Sequence, residues 1–406
     1  VDRLSRSGLH LRGAAAVALW FMFLTLPLLA VRVDTLQGVV EWRWANLLWV
    51  GAASFLLALL WRAWSAWRQQ RLATVRAPHP VVTLFGRVLE EPRCYRPALM
   101  VILAAAVLFP WLVDTYQASI MGLALIFVVL GLGLNLTVGL AGLLDLGYIA
   151  FFAVGAYTYA LLNTVFGLGF WVCLPLGGLA GALCGVLLGF PILRLRGDYL
   201  AIVTLGFGSI ARIVFENWET AFGGARGIAG IGRPGLFGLE MGLGGITIYL
   251  YYLVLGLVVI TVVVVRRLQH SRIGRAWVAL REDEIACAAM GVDVARTKLS
   301  AYACGALWAG LVGVLFAARN TYINPNSFTF MESALVLSIV VLGGMGSLVG
   351  VVLAALVLVL LPEYLRAVAD YRMLVFGAVM VLMMVVRPQG LISARRRRYR
   401  ITDGAG

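Results

Sequence analysis

GLGLNLTVGLAGLLDLGYIAFFAVGAY, residues 131–157, is apolar enough for two membrane spans, yet glycine interrupts it at 131, 133, 139, 142, 147 and 155. Asn135, Thr137 and Asp145 lie inside the interruption. Backbone that leaves the helix at membrane depth is tolerated only where protein buries it or where it lines a cavity. Transporters place binding sites at such breaks, because the ends of half-helices offer oriented dipoles. For a single glycine the competing explanation is close helix packing. For the whole segment, with its polar residues, a reentrant turn is the better account. A second cluster, VVLGGMGSLVG at 340–350, is a candidate counterpart.

The surrounding chain is equally apolar. Of its 406 residues 62% are hydrophobic and 13% charged, with a mean hydropathy of +0.94. Soluble domains are nearer half apolar and a quarter charged. Runs of about 17–25 apolar residues, each long enough to cross a hydrocarbon core roughly 30 Å thick, recur throughout. Spans are expected near 13–31, 45–61, 97–113, 119–138, 146–163, 170–192, 199–216, 246–265, 299–317, 332–343, 348–362 and 372–386. The fold class is therefore an all-α polytopic membrane protein of 10–12 transmembrane helices, including glycine-broken or reentrant segments. A transmembrane β-barrel would alternate apolar and polar residues in segments of about ten, and no such alternation is present.

The net charge of +14 does not mark a nucleic-acid surface, because the basic residues sit in the short connections between apolar runs. Most of the 33 Lys and Arg fall in the N-terminus, 62–96, 193–198, 266–298 and the C-terminus. The positive-inside rule then places both termini in the cytoplasm. Arg3, Arg6 and Arg12 flank the first run as they would a signal peptide. A second span follows closely without a clear cleavage site, so a retained anchor is expected. Residues 1–97 read as a two-span extension with a basic loop, 98–390 as the core, and 391–406 as a basic tail. The tail's ARRRRYR (394–400) suits anionic lipid headgroups at about 1 kcal/mol per arginine, or merely fixes topology.

Chemistry-bearing residues are sparse. Five cysteines show no metal spacing, and His10, His79 and His270 all lie in polar connections, so no metal centre or catalytic triad is indicated. Asp145, Asp198, Arg212, Glu216 and Glu332 are the ionisable groups near spans. At a bilayer centre each costs about 2.5–3.5 kcal/mol or more, which makes function the default explanation. Most sit near span ends, where interfacial solvation removes much of that cost, and Asp198 follows Arg194 and Arg196 as an ordinary ion pair would. No helix carries a row of acids, as a proton- or sodium-coupled carrier often does. Candidate translocation-path residues are Asn135, Thr137, Asp145 and Tyr148 in the break, with Ser209 in a later span.

The cytoplasmic connection 266–298 holds LREDEIACAAMG, 280–291. Glu282, Asp283 and Glu284 suit the start of a short helix, where the macrodipole favours negative charge. Ile285, Ala288, Ala289 and Val292 then recur at helical spacing. Gly291 stands where a helix stop requires positive φ, and Asp293 can cap the next helix. A two-turn helix is too short to be stable alone in water, so it must dock on its own protein or on a partner. Lys298 is the single lysine, and VARTKLS around it lacks the glycines of a phosphate-binding loop. An ATP-driven transporter would therefore need a separate ATPase, docked at this helix.

Several ordered blocks carry a family resemblance. They are the 131–157 segment, GFWVCLPL (169–176), GFPILRLRGDYLAIVTLGFGSIARI (189–213), GRAWVALREDEIACAAMG (274–291), NPNSFTFMESALVLSIVVLGGMGS (324–347) and RPQGL (387–391). Over roughly 98–392 the chain resembles the membrane subunits of ABC importers, most closely the LivM-type high-affinity branched-chain amino acid permeases. By that resemblance 281–292 corresponds to the coupling helix with its EAAxxxG motif. Gly291 matches the motif glycine and Ala286 one alanine, while Ile285 and Cys287 depart from the pattern and Glu284 is displaced by one. Ser209 stands where an acid is expected after GFG. TAFGGARGIAGI (220–231) resembles the family's outward TGGxxGI segment, a candidate contact for a binding protein.

The resemblance implies a non-catalytic permease subunit of the bacterial inner membrane, importing Leu, Ile or Val by alternating access. Its expected partners are a second related permease, two P-loop ATPases that bind ATP and Mg, a periplasmic substrate-binding protein and membrane lipids, with no nucleic acid. The ATPase contact falls on Glu282, Asp283, Glu284, Ala286 and Gly291. A urea or short-chain amide importer of the same superfamily shares these blocks, and a stand-alone secondary carrier is the rival from another class.

Overall fold

The computed structural model describes residues 92–193, 195, 197–235 and 243–364, with 19, 22, 31–34, 39–42, 51–52, 54–56, 377–378, 381 and 390–392. The chain divides into two compact units, Val1–Val101 and Ile102–Gly406. In the first unit, β1 (Val31–Asp34) and β2 (Val39–Trp42) pair antiparallel, with Val31 opposite Trp42. Nearly all of the expected spans 13–31, 45–61 and 372–386, the loop 62–96 and the arginine tail lie outside the described residues.

The helices are α1 (Pro92–Leu112), α2 (Thr115–Leu134), α3 (Ile149–Phe166), α4 (Phe170–Ile192), α5 (Asp198–Asn217), α6 (Leu243–Gln269), α7 (Arg272–Glu282), α8 (Glu284–Ala289), α9 (Val294–Asn320), α10 (Phe330–Gly343) and α11 (Leu348–Tyr364). A π-helix, Asn135–Leu140, continues α2. Among the described residues seven segments between Thr115 and Gly343 are long and apolar enough to cross a membrane, and Leu103–Leu112 and Leu348–Glu363 are shorter apolar helices. The all-α polytopic class stands. Span limits follow the apolar runs closely, as at 170–192 and 199–216. The run 299–317 is extended backward, because Asp293 caps α9 before the apolar stretch begins.

The centre of the second unit is α9, which packs along α4, α3 and α2, while α2 also carries α6 and α11. Glycine makes this packing close. On α4, Gly177, Gly181 and Gly185 recur every fourth residue and lie against α9, where a Cβ on Gly181 would come within 2.6 Å of Ala306 O. Such stripes let helix backbones approach in lipid, where no hydrophobic force drives helices together. The outlier is α5, with 22% of its apolar window buried against 72% for α9. One long face of α5 is therefore open among the described residues.

At one end of the bundle, β3 (Ile228–Ala229) pairs antiparallel with β4 (Tyr322–Ile323), joining the TAFGGARGIAGI segment to the start of the α9–α10 connection. The α7–α8 corner lies at the other end, with the π-helix and the 344–347 turn.

Candidate functional site

The α7–α8 corner is built by side-chain caps. Asp283 is extended, at φ −157°, and its carboxylate accepts from Ile285 N at 2.8 Å and Ala286 N at 3.0 Å. That geometry ends α7 at Glu282 and starts α8 at Glu284, so the acids expected to open one helix are divided between two. Gly291 has φ +79° with open space where a Cβ would be, so its glycine requirement is conformational. Asp293 accepts from Arg296 N at 3.0 Å and caps α9. Of the apolar stripe, Ile285 is 69% exposed, as is the neighbouring Met290 at 83%, while Cys287 is buried. The stripe points away from this chain.

Hydrogen bonds of Lys298, Arg281 and Trp277 tie the corner to the bundle. Lys298 is buried at the start of α9; its Nζ donates to Glu284 Oε1 at 2.8 Å and to Leu193 O, beyond α4, at 3.4 Å. Glu284 thus turns inward from α8. Arg281, in the last turn of α7, donates from Nη1 to Gly139 O of the π-helix at 2.5 Å. Trp277 fixes α7 on α9 through Nε1–H to Ser300 Oγ at 2.9 Å.

The break itself is compact. Asn135, Thr137, Asp145 and Tyr148 are all fully buried or nearly so. Asn135 Oδ1 accepts from Gly346 N at 2.8 Å, which joins the two glycine clusters directly. Thr137 donates to Leu134 O at 2.9 Å, a bond within its own turn, and Tyr148 OH donates to Gly305 O of α9 at 3.0 Å. Asp145 Oδ1 accepts from Gly147 N at 2.9 Å, while Asn135 Nδ2 and Asp145 Oδ2 have no hydrogen-bond partner among the described residues. Asp145 lies in the connection between two spans, where burial pushes its carboxyl up to about 7 against the opposing Gly147 hydrogen bond. The GL of RPQGL also reaches this end, since Leu391 N donates to Leu342 O at 2.8 Å.

Ser209 lies apart from these four. It lines a cavity of about 190 Å³ on the open side of α5, together with Arg212 and Glu216. Sequence reasoning assigned those two charges to interfacial solvation. Their i,i+4 spacing on one span, one turn beyond Ser209, was the available signal.

Residues 116–384 match the family described as the branched-chain amino acid transport system / permease component. The chain belongs to this family. This permease is 46% identical over 394 residues to the high-affinity branched-chain amino acid transport system permease protein LivM of Escherichia coli K12, covering 92% of this chain and 90% of the relative. It is 28% identical over 299 residues to the ribose import permease protein RbsC of the same organism, covering 69% of this chain and 84% of the relative. The permease protein LivH of Salmonella typhimurium matches over 129 residues at 31% identity, 31% of this chain and 41% of the relative. No solved structure matches this permease.

Proposed function

We propose that the chain is the membrane subunit of an ATP-driven importer that carries branched-chain amino acids across a bacterial inner membrane. Its partners are a second related permease, two P-loop ATPases that hold ATP and Mg²⁺, and a periplasmic binding protein. The likeness to LivM over nine-tenths of both chains supports the substrate class. The observation that carries the mechanism is the α7–α8 corner. The short, capped α8 presents Ile285 and Met290 outward, and α7 before it is fastened through Arg281 to the glycine break.

In this account ATPase closure pushes on 282–291, with Ala286 and Gly291 shaping the contact and Glu282, Asp283 and Glu284 framing it. The push reaches the π-helix through Arg281 and α4 through Lys298. Asn135, Thr137, Asp145 and Tyr148 act as the hinge region beside the path, and Ser209 lines it. The basic connections support a cytoplasmic side for both termini and the corner, with the 220–231 segment on the side of the binding protein.

Affinity purification of the chain from its native membrane in mild detergent is the test. A co-purifying P-loop ATPase and second permease, with hydrolysis stimulated by leucine and the binding protein, are expected. A chain that elutes without any ATPase, yet transports when reconstituted alone, contradicts the proposal.

A further inference from the structure

The cavity on α5 combines an apolar wall with opposite charges. Ile149 of α3, Leu205 of α5 and Phe328 and Phe330 around the start of α10 supply the wall. Ser209, Arg212 and Glu216 enter from successive turns of α5. Arg212 Nη2 lies 3.7 Å from Glu216 Oε2, with the side chains 37% and 41% exposed, and also donates to Asn326 Oδ1 at 3.2 Å. Its Nε is buried without a hydrogen-bond partner among the described residues. The pair is a loose contact in the wall of the cavity.

Charged side chains within a span avoid lipid and mark substrate or ion pathways. The same helix exposes Ile202, Ile210 and Ile213, an apolar face left uncovered among the described residues. The charged pair therefore belongs to a surface closed by protein or wetted by a path. We infer that this cavity is a transient site for a zwitterionic α-amino acid with an apolar side chain. Arg212 takes the carboxylate, a match of planar donors to paired acceptors. Glu216 takes the ammonium, and the side chain rests on Ile149, Leu205, Phe328 and Phe330. A neutral amide would engage neither charge as an ion pair and would leave the apolar wall bare. The open pair binds weakly enough for release, as passage requires. The inference rests on reading the chain as an amino acid importer subunit, and the second permease is the element that closes the cavity.

The test uses the complete complex in proteoliposomes, with Arg212→Gln, Arg212→Lys and Glu216→Gln each first shown to co-purify with the partner subunits. Leucine uptake should fall about tenfold or more in the two Gln variants, the scale of one lost charged hydrogen bond, with partial recovery in Arg212→Lys. A diazirine-bearing leucine analogue should label peptides spanning 205–216 and 328–333 in the wild type and lose that labelling in Arg212→Gln. Wild-type uptake in both Gln variants, or labelling elsewhere alone, overturns the site while leaving the importer intact. If the wild-type complex takes up no leucine, both readings fall.

Discussion

Arg281 and Gly139, 142 residues apart, are joined by a hydrogen bond of 2.5 Å from the guanidinium to the carbonyl. A cation at the C-terminal end of a helix opposes the macrodipole and satisfies an orphan carbonyl. The stem of Arg281 covers Gly142, whose φ is +72° and where a Cβ would come within 2.7 Å of Arg281 Cγ. The last turn of α7 and the break are therefore in direct contact through both the head and the stem of Arg281.

Arg281→Gln should leave the complex assembled while separating its two activities. Leaving the Gly139 carbonyl without its charged partner costs about 1.5–3 kcal/mol. Leucine uptake per ATP hydrolysed in proteoliposomes should drop by about tenfold or more on that scale. An unchanged ratio would remove Arg281 from the route.

Lys298 and Glu284 form the buried bond beneath α8, at 3% and 22% side-chain exposure. Lys298→Met removes the ammonium from a partly buried carboxylate, and breaking such a pair costs about 3 kcal/mol or more. The melting temperature of the purified chain should fall, and adding Glu284→Gln should restore part of the loss. A double variant no more stable than Lys298→Met would sink the pairing argument.

Gly155 marks the closest approach of α3 to α9, where a Cβ would come within 2.6 Å of Gly310 Cα as well as striking its carbonyl. Backbone cannot swing aside as a flexible side chain can. Gly155→Ala should destabilise by about 1–3 kcal/mol, the cost of overpacking, and lower the monodisperse yield in size-exclusion chromatography. A wild-type elution profile and melting temperature would contradict the packing.

The carboxyl of Asp145 is pushed up to about 7 in the folded chain, against about 3.9 unfolded. The folded state then holds a proton that the unfolded state has released, so the stabilisation is complete below about 4 and lost as pH rises through about 7. The melting temperature of the wild type should decline across that window, and Asp145→Asn should flatten the decline. Identical pH profiles would show that Asp145 does not titrate there.

Much of the fold is legible in sequence because apolar length is a chemical requirement of the bilayer, so runs such as 170–192 and 199–216 coincide with helices. The corner was legible for a similar reason: Asp283, Gly291 and Asp293 act on backbone groups within three residues of themselves. The π-helix was not, since it is fixed by Asn135 accepting from Gly346, 211 residues away. Arg281 and Lys298 looked like topology signals until their distant partners were in place. The charges of Arg212 and Glu216 could be placed in a cavity only once Phe328 and Phe330 were seen opposite them. The stripe Gly177, Gly181, Gly185 was readable by its spacing, but its partner helix was not.

The most direct measurement concerns the outward face of α8. Ile285→Asp with Met290→Asp changes two exposed side chains, 69% and 83% accessible. The account predicts that the double variant folds, retains its second permease, and loses both the co-purifying ATPase and leucine-stimulated hydrolysis. A full complement of ATPase with wild-type stimulation would contradict it.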